Sequence, residues 1–200
     1  SVDDNYSYAR GAACLDFASQ SIHDNFAVLT PGVFTQYTPR MRGLEGFECE
    51  REFLALSDAI AGVPEGHTRW QHMLDKAEAY CQPGSFVTLP GYEWTASRYR
   101  LIEEATGVAC EHGHRCVYFN RTDVPLLASR DPRYSTSEQL FAALEPYRGQ
   151  VLTIPHHPAA HPEHKTGGWT TNWSRCNPDF DRLAEVFSCH GSSEYPGNPR

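Results

Sequence analysis

Ser85-Phe86-Val87-Thr88-Leu89-Pro90-Gly91-Tyr92-Glu93-Trp94 follows a Pro83-Gly84 turn and carries a single charge, on Glu93. Ten mostly apolar and β-prone residues behind such a turn read as a buried strand. A carboxylate inside it needs a partner, either an arginine or a metal ion, because an unpaired buried charge is costly. This stretch sets the two questions of the chain: what sheet it belongs to, and what answers Glu93.

Outward from it, helices and strands alternate. Residues 5–14 read as a short helix and Leu15 to Ile22 as a strand ending at His23-Asp24. Residues 25–42 read as a long loop and 43–60 as a helix. Residues 68–81 form a second helix, with Trp70, Met73, Leu74, Ala77 and Tyr80 at helical spacing. Beyond Trp94, residues 95–113 read as a loop with a short helix over 99–106, and Arg115 to Phe119 as a strand. Ser135-Thr136-Ser137-Glu138 reads as a capping box before Leu140, Phe141 and Leu144. Gln150 to Ile154 is a strand running into Pro155-His156-His157-Pro158. Residues 159–178 read as a loop, Asp179 and Asp181 as a helix start, and Leu183 to Cys189 as the last strand. The alternation predicts an α/β fold in one domain over residues 1–200.

The composition is that of a globular protein: 40% hydrophobic and 21% charged over 200 residues. A net charge of -8 excludes nucleic acid as the main partner. No apolar run is long enough to span a membrane. Ser1 at the start and the turn-like Tyr195-Pro196-Gly197-Asn198-Pro199-Arg200 at the end suggest a piece of a longer protein. Seven cysteines without a C-x-x-C pair argue against a structural zinc ribbon and against a complete disulfide framework; most read as small core residues or free thiols.

The ten histidines cluster, His112 with His114 and His156 with His157, His161 and His164. Four predicted strands end in, contain or abut a metal-competent side chain: His23, Glu93, the pair His156 and His157, and Glu185 with His190. A fifth begins just after His114. In an α/β barrel such strand ends converge on one face, and imidazoles with carboxylates suit zinc, iron or manganese. The plainer readings are a turn histidine at His23, an exposed His112, solvated His161 and His164, pocket-wall aromatics at Tyr92 and Trp94, and a surface group at Glu194. A Cys-His site with Cys110 and Cys116 is a minor reading.

Gly91-Tyr92-Glu93-Trp94-Thr95, Gly113-His114-Arg115-Cys116-Val117-Tyr118-Phe119, Ile154-Pro155-His156-His157-Pro158 and Glu185-Val186-Phe187-Ser188-Cys189-His190-Gly191-Ser192-Ser193-Glu194 occur in that order. Together they resemble a bacterial family of unknown function related to the PHP (polymerase and histidinol phosphatase) metal hydrolases. The resemblance implies a distorted (β/α)7 TIM-like barrel holding two or three divalent ions. It implies His23, Glu93 (bridging), His114, and one of His156 and His157 as ligands. Glu185 and His190 match a motif near the site. Two motifs of that family are absent from the chain, an opening His-x-His and a closing Asp-x-His, and Ile22 stands where the family has an aspartate.

The expected function is therefore a metal-dependent phosphoesterase acting on a small phosphorylated molecule, with zinc, manganese or iron activating water. His190 and Arg115 are the expected catalytic residues, a His or Arg protonating the leaving alcohol and Arg115, with Arg98, contacting phosphate. Two alternatives stay open: a hydrolase of C–N or C–O bonds resembling the amidohydrolases, and a non-catalytic metal- or ligand-binding module.

Overall fold

A computed structural model describes residues 1–24, 62–64, 66–96, 112–129, 131–159, 171–188 and 191–194. The expected loop over 25–42, the helices over 43–60 and 99–106, and Arg98, Cys110, His161, His164 and His190 lie outside the described residues. The chain divides into two compact units, Ser1–Gln20 with Phe26–Pro90, and Ser21–Asn25 with Gly91–Arg200.

In the first unit, helix α1 (Val2–Gly11) starts three residues earlier than the sequence suggests, because Ser1 and Asp4 form a capping box ahead of it. Helix α2 (Arg69–Tyr80) opens on a second box, Thr68 with Gln71. Tyr6, Ala9 and Val2 of α1 pack with Phe86, and Tyr80 joins them. Strand β1 (Phe17–Gln20) pairs in parallel with Val87–Pro90, the first half of strand β2 (Val87–Trp94).

In the second unit, Gly91–Trp94 of β2 pairs antiparallel with β3 (Arg115–Phe119), and β3 pairs antiparallel with β4 (Val151–Pro155). Helix α3 (Ser137–Leu144) buries Leu140, Phe141 and Leu144. Its capping box is Thr136 with Gln139, one residue on from the expected Ser135 with Glu138. Both frames satisfy the Ser/Thr-x-x-Glu/Gln pattern, and Ser135 is held by the Gln139 side chain as well, its amide donating at 3.1 Å. The expected last strand shrinks to β5 (Phe187–Ser188), hairpinned on β6 (Gly191–Ser192), and Leu183 and Val186 are exposed.

The strand order is β1-β2-β3-β4 in a mixed sheet, beside the two-stranded β5–β6 ribbon. Among the described residues the sheet is open and three α-helices accompany it, so the architecture is α+β. This corrects the expected α/β (β/α)7 barrel. A barrel requires parallel strands with crossover helices between them, whereas β2–β3 and β3–β4 are antiparallel. Along each strand successive side chains point to alternate faces of the sheet.

That alternation positions the site. Directly opposed residues share a face, and the register sets Glu93 against Cys116 and Cys116 against Ile154. One residue beyond the paired ends, His114 and His156 continue the same face. The other face carries Tyr92, Trp94, Val117, Phe119 and Thr153, each at most 1% exposed.

Candidate metal centre

Glu93 is the hub. It is the penultimate residue of β2, and its amide donates to the Ile22 carbonyl at 2.8 Å. That bond, with the parallel bridge of His23 to Glu93, brings the His23-Asp24 segment to the strand. Glu93 Oε1 lies 3.0 Å from His114 Nδ1, 3.5 Å from His156 Nε2 and 3.5 Å from His23 Nδ1. The Thr95 hydroxyl donates to the same oxygen at 3.0 Å and lies 3.0 Å from His23 Nδ1.

Glu93, His114, His156 and His157 each place one ligand atom within 4.8 Å of the others. A carboxylate oxygen and an imidazole nitrogen, each about 2.0–2.1 Å from one zinc in a tetrahedron, are about 3.3–3.4 Å apart. The 3.0 and 3.5 Å separations bracket that spacing. One carboxylate and three imidazoles are a donor set for zinc, iron or manganese. The side chains of Glu93, His114 and His156 are only 11–13% exposed, so the group is sheltered from water.

The electrostatics are those of a tightly coupled acid and its bases. Burial disfavours the Glu93 carboxylate, but hydrogen bonds from His114 and His156 and the charge of His23 outweigh it and hold the group well below the usual carboxylate range. Burial also works against the charged form of His156, yet hydrogen bonds to Cys116 and Glu93 overcome it and push the ring up to about 10. For His114 burial wins and the ring is lowered, despite the hydrogen bond to Glu93. The site thus pairs a carboxylate charge with one imidazole that keeps its proton, and sets a neutral imidazole beside it.

The structure gathers four of the six expected ligands: Glu93, His114, His156 and His157. His23 stands at the edge of this group, its side chain half exposed. Glu185 lies beside the end of β4, its amide donating to the Pro155 carbonyl at 3.1 Å, and its charge acts on Tyr118 rather than joining the four. Arg115 falls on the opposite face by strand alternation, 1% exposed and ion-paired with Asp181. Asp181, expected to start a helix, is that partner. His112, which the sequence suggests is exposed, is buried at the start of α3, its Nδ1 within 3.0 Å of the Ser137 hydroxyl. Glu194 is exposed.

Sequence reasoning missed Thr95 at this site and weighed Cys116 only in a minor Cys-His reading with Cys110. Thr95 positions Glu93 and His23 together, and the Cys116 thiol hydrogen-bonds His156. The signal for Cys116 was its even spacing from His114 on a strand. Cys14, Cys81, Cys116 and Cys176 are free thiols.

A family model described as a protein of unknown function, DUF3604, matches residues 33–195. The chain belongs to the DUF3604 family. No curated protein and no solved structure matches it. This corrects the expected kinship with the PHP hydrolases, for which there is no family match. The resemblance rested on histidines and carboxylates at strand ends, and such donor sets arise on unrelated folds. The DUF3604 chain has no helix among its described residues that is long and apolar enough to cross a membrane.

Proposed function

We propose that this DUF3604 chain is a metal-dependent hydrolase that holds a divalent cation, zinc, manganese or iron, on Glu93, His114, His156 and His157, with a phosphoester as its substrate class. The observation that carries the reading is the convergence within 4.8 Å of four ligand atoms, from Glu93 on β2, His114 just before β3, and His156 and His157 just after β4. The fold brings residues 63 positions apart in sequence (156 less 93) to within hydrogen-bonding reach, and all four are of ligand type. A cation bound there would lower the pKa of a water ligand and polarise the ester.

The chain's own residues supply the rest. Thr95 fixes one Glu93 oxygen, which orients the carboxylate toward the imidazoles. Burial excludes bulk water from three of the donors. His23, half exposed and 3.5 Å from Glu93, stands at the solvent edge of the group.

The test is metal content by mass spectrometry on wild type and Glu93→Gln, followed by a phosphomonoester and phosphodiester panel with the reconstituted protein. One equivalent in wild type, loss in the variant, and turnover that follows the metal are the expected results. Metal without turnover on any ester leaves a cation-binding module and ends the hydrolase reading. Wild type free of metal after reconstitution ends both.

A further inference from the structure

We infer that the buried Arg115–Asp181 pair is the positioning device that sets His114 against His156, and so sets cation affinity at Glu93; the inference rests on the metal reading above. Arg115 leaves the face of β3 opposite to Glu93, where its guanidinium is fully enclosed. Its Nη1 donates to the carbonyl of His112 and, at 3.4 Å, to that of Gly113. These are the two peptide groups immediately before His114. Gly113 has φ +66°, a left-handed turn that an L side chain resists, so this short loop has a defined path and Arg115 clasps it. Nη2 donates to the Arg175 carbonyl at 3.2 Å.

The other end of the pair reaches the second ligand strand. Asp181 receives Arg115 Nε on both oxygens at 3.3 Å. Its Oδ1 accepts from the Thr153 hydroxyl at 2.5 Å, and its Oδ2 accepts from the Asn177 amide at 3.1 Å. Thr153 lies on β4 three residues before His156, and the register sets Arg115 opposite Pro155. One ion pair therefore fastens the backbone that leads into His114 to the strand that leads into His156. It does so at the ladder end where both ligands emerge.

Stability alone is a poor account of this arrangement. A well-packed apolar pair of the same volume commonly stabilises as much as a buried ion pair, but it offers no directed bonds to the His112 and Gly113 carbonyls. Metal sites demand ligand placement within about 0.5 Å. Partners behind the ligands usually change affinity by about 10–100-fold when they are lost.

The experiment measures zinc affinity by chelator competition on the 200-residue chain, together with thermal unfolding of the metal-free form. Three variants are compared with wild type: Asp181→Asn, Thr153→Val and, as a packing control, Leu144→Ala, whose side chain is wholly buried in α3. Asp181→Asn is expected to weaken zinc binding about 10–100-fold. Thr153→Val, a milder change that removes one hydrogen bond and keeps the shape, is expected to weaken it about threefold to tenfold. Leu144→Ala is expected to lower the unfolding temperature while leaving affinity within about twofold, since its side chain makes none of the pair's hydrogen bonds. If the two polar variants bind zinc as wild type does, or if affinity simply follows unfolding temperature across all three, the inference is overturned and the metal reading stands. If wild type takes up no zinc, both fall together.

Discussion

Two buried carboxylates stand on opposite faces of the same three strands, and they are answered differently. Asp181 meets a guanidinium, a hydroxyl and a backbone amide, every one of them a fixed donor. Glu93 meets imidazoles from His23, His114 and His156. A guanidinium donates and never accepts, so the Asp181 site is closed. An imidazole can surrender its proton and offer a lone pair to a cation, so the Glu93 site can exchange what it holds. The lesson is that burial of a carboxylate says nothing about function until its partners are known.

The largest effect should come from breaking the closed side. Asp181→Ala leaves Arg115 buried with its charge unanswered and should cost about 3–5 kcal/mol in chemical denaturation of the metal-free chain. Glu93→Ala should cost less, about 1–3 kcal/mol, because imidazoles can relax by losing protons. Equal losses in the two denaturation curves would erase the contrast between the faces.

The pH dependence sharpens it. His156 is raised in the folded chain from 6.5 to about 10, so its contribution is fully present below pH 6.5 and fades as pH climbs toward 10. Glu93 is lowered from 4.5, so its contribution is present above pH 4.5 and is lost as pH falls from there. Metal-free stability should thus be greatest between these limits and decline on the alkaline side, while zinc affinity rises there as the competing proton leaves. Denaturation and zinc titration at pH 6, 8 and 9.5 read both, and a flat or rising stability on the alkaline side would overturn the assignment. The same competition predicts that zinc binding at pH 8 expels about one proton, seen calorimetrically as a dependence of heat on buffer ionisation enthalpy.

Cys116→Ala should have the smallest effect. It removes one hydrogen bond that raises His156, so the alkaline decline should begin at lower pH, with a stability change near 1 kcal/mol. An unmoved midpoint would show that Glu93 alone sets the charge of His156.

Much of this could be read from residues and their neighbours in the chain. The strands around Glu93, Cys116 and Ile154 follow from short apolar, β-prone runs between turn signals. Helix α2 follows from its apolar spacing and α3 from its spacing and cap, the α3 box being misread by one residue only because two overlapping boxes fit. Glu93, His114, His156 and His157 stood out because an isolated charge in an apolar run and paired histidines at strand boundaries each call for a partner.

What the sequence by itself determined is therefore local: which segments are strands, which polar side chains interrupt them, and which donor types are present. Only the tertiary structure decided that β2, β3 and β4 pair antiparallel in a mixed, open sheet rather than parallel in a barrel, since a strand of given pattern can pair in either direction. It also decided which parity faces which layer. His114 and Arg115 are adjacent in sequence and equally polar, yet one joins the imidazoles around Glu93 and the other pairs with Asp181, 66 positions away. A pleat of period two separates neighbours onto opposite faces, and the partner waiting on each face is set by long-range pairing that no local pattern encodes.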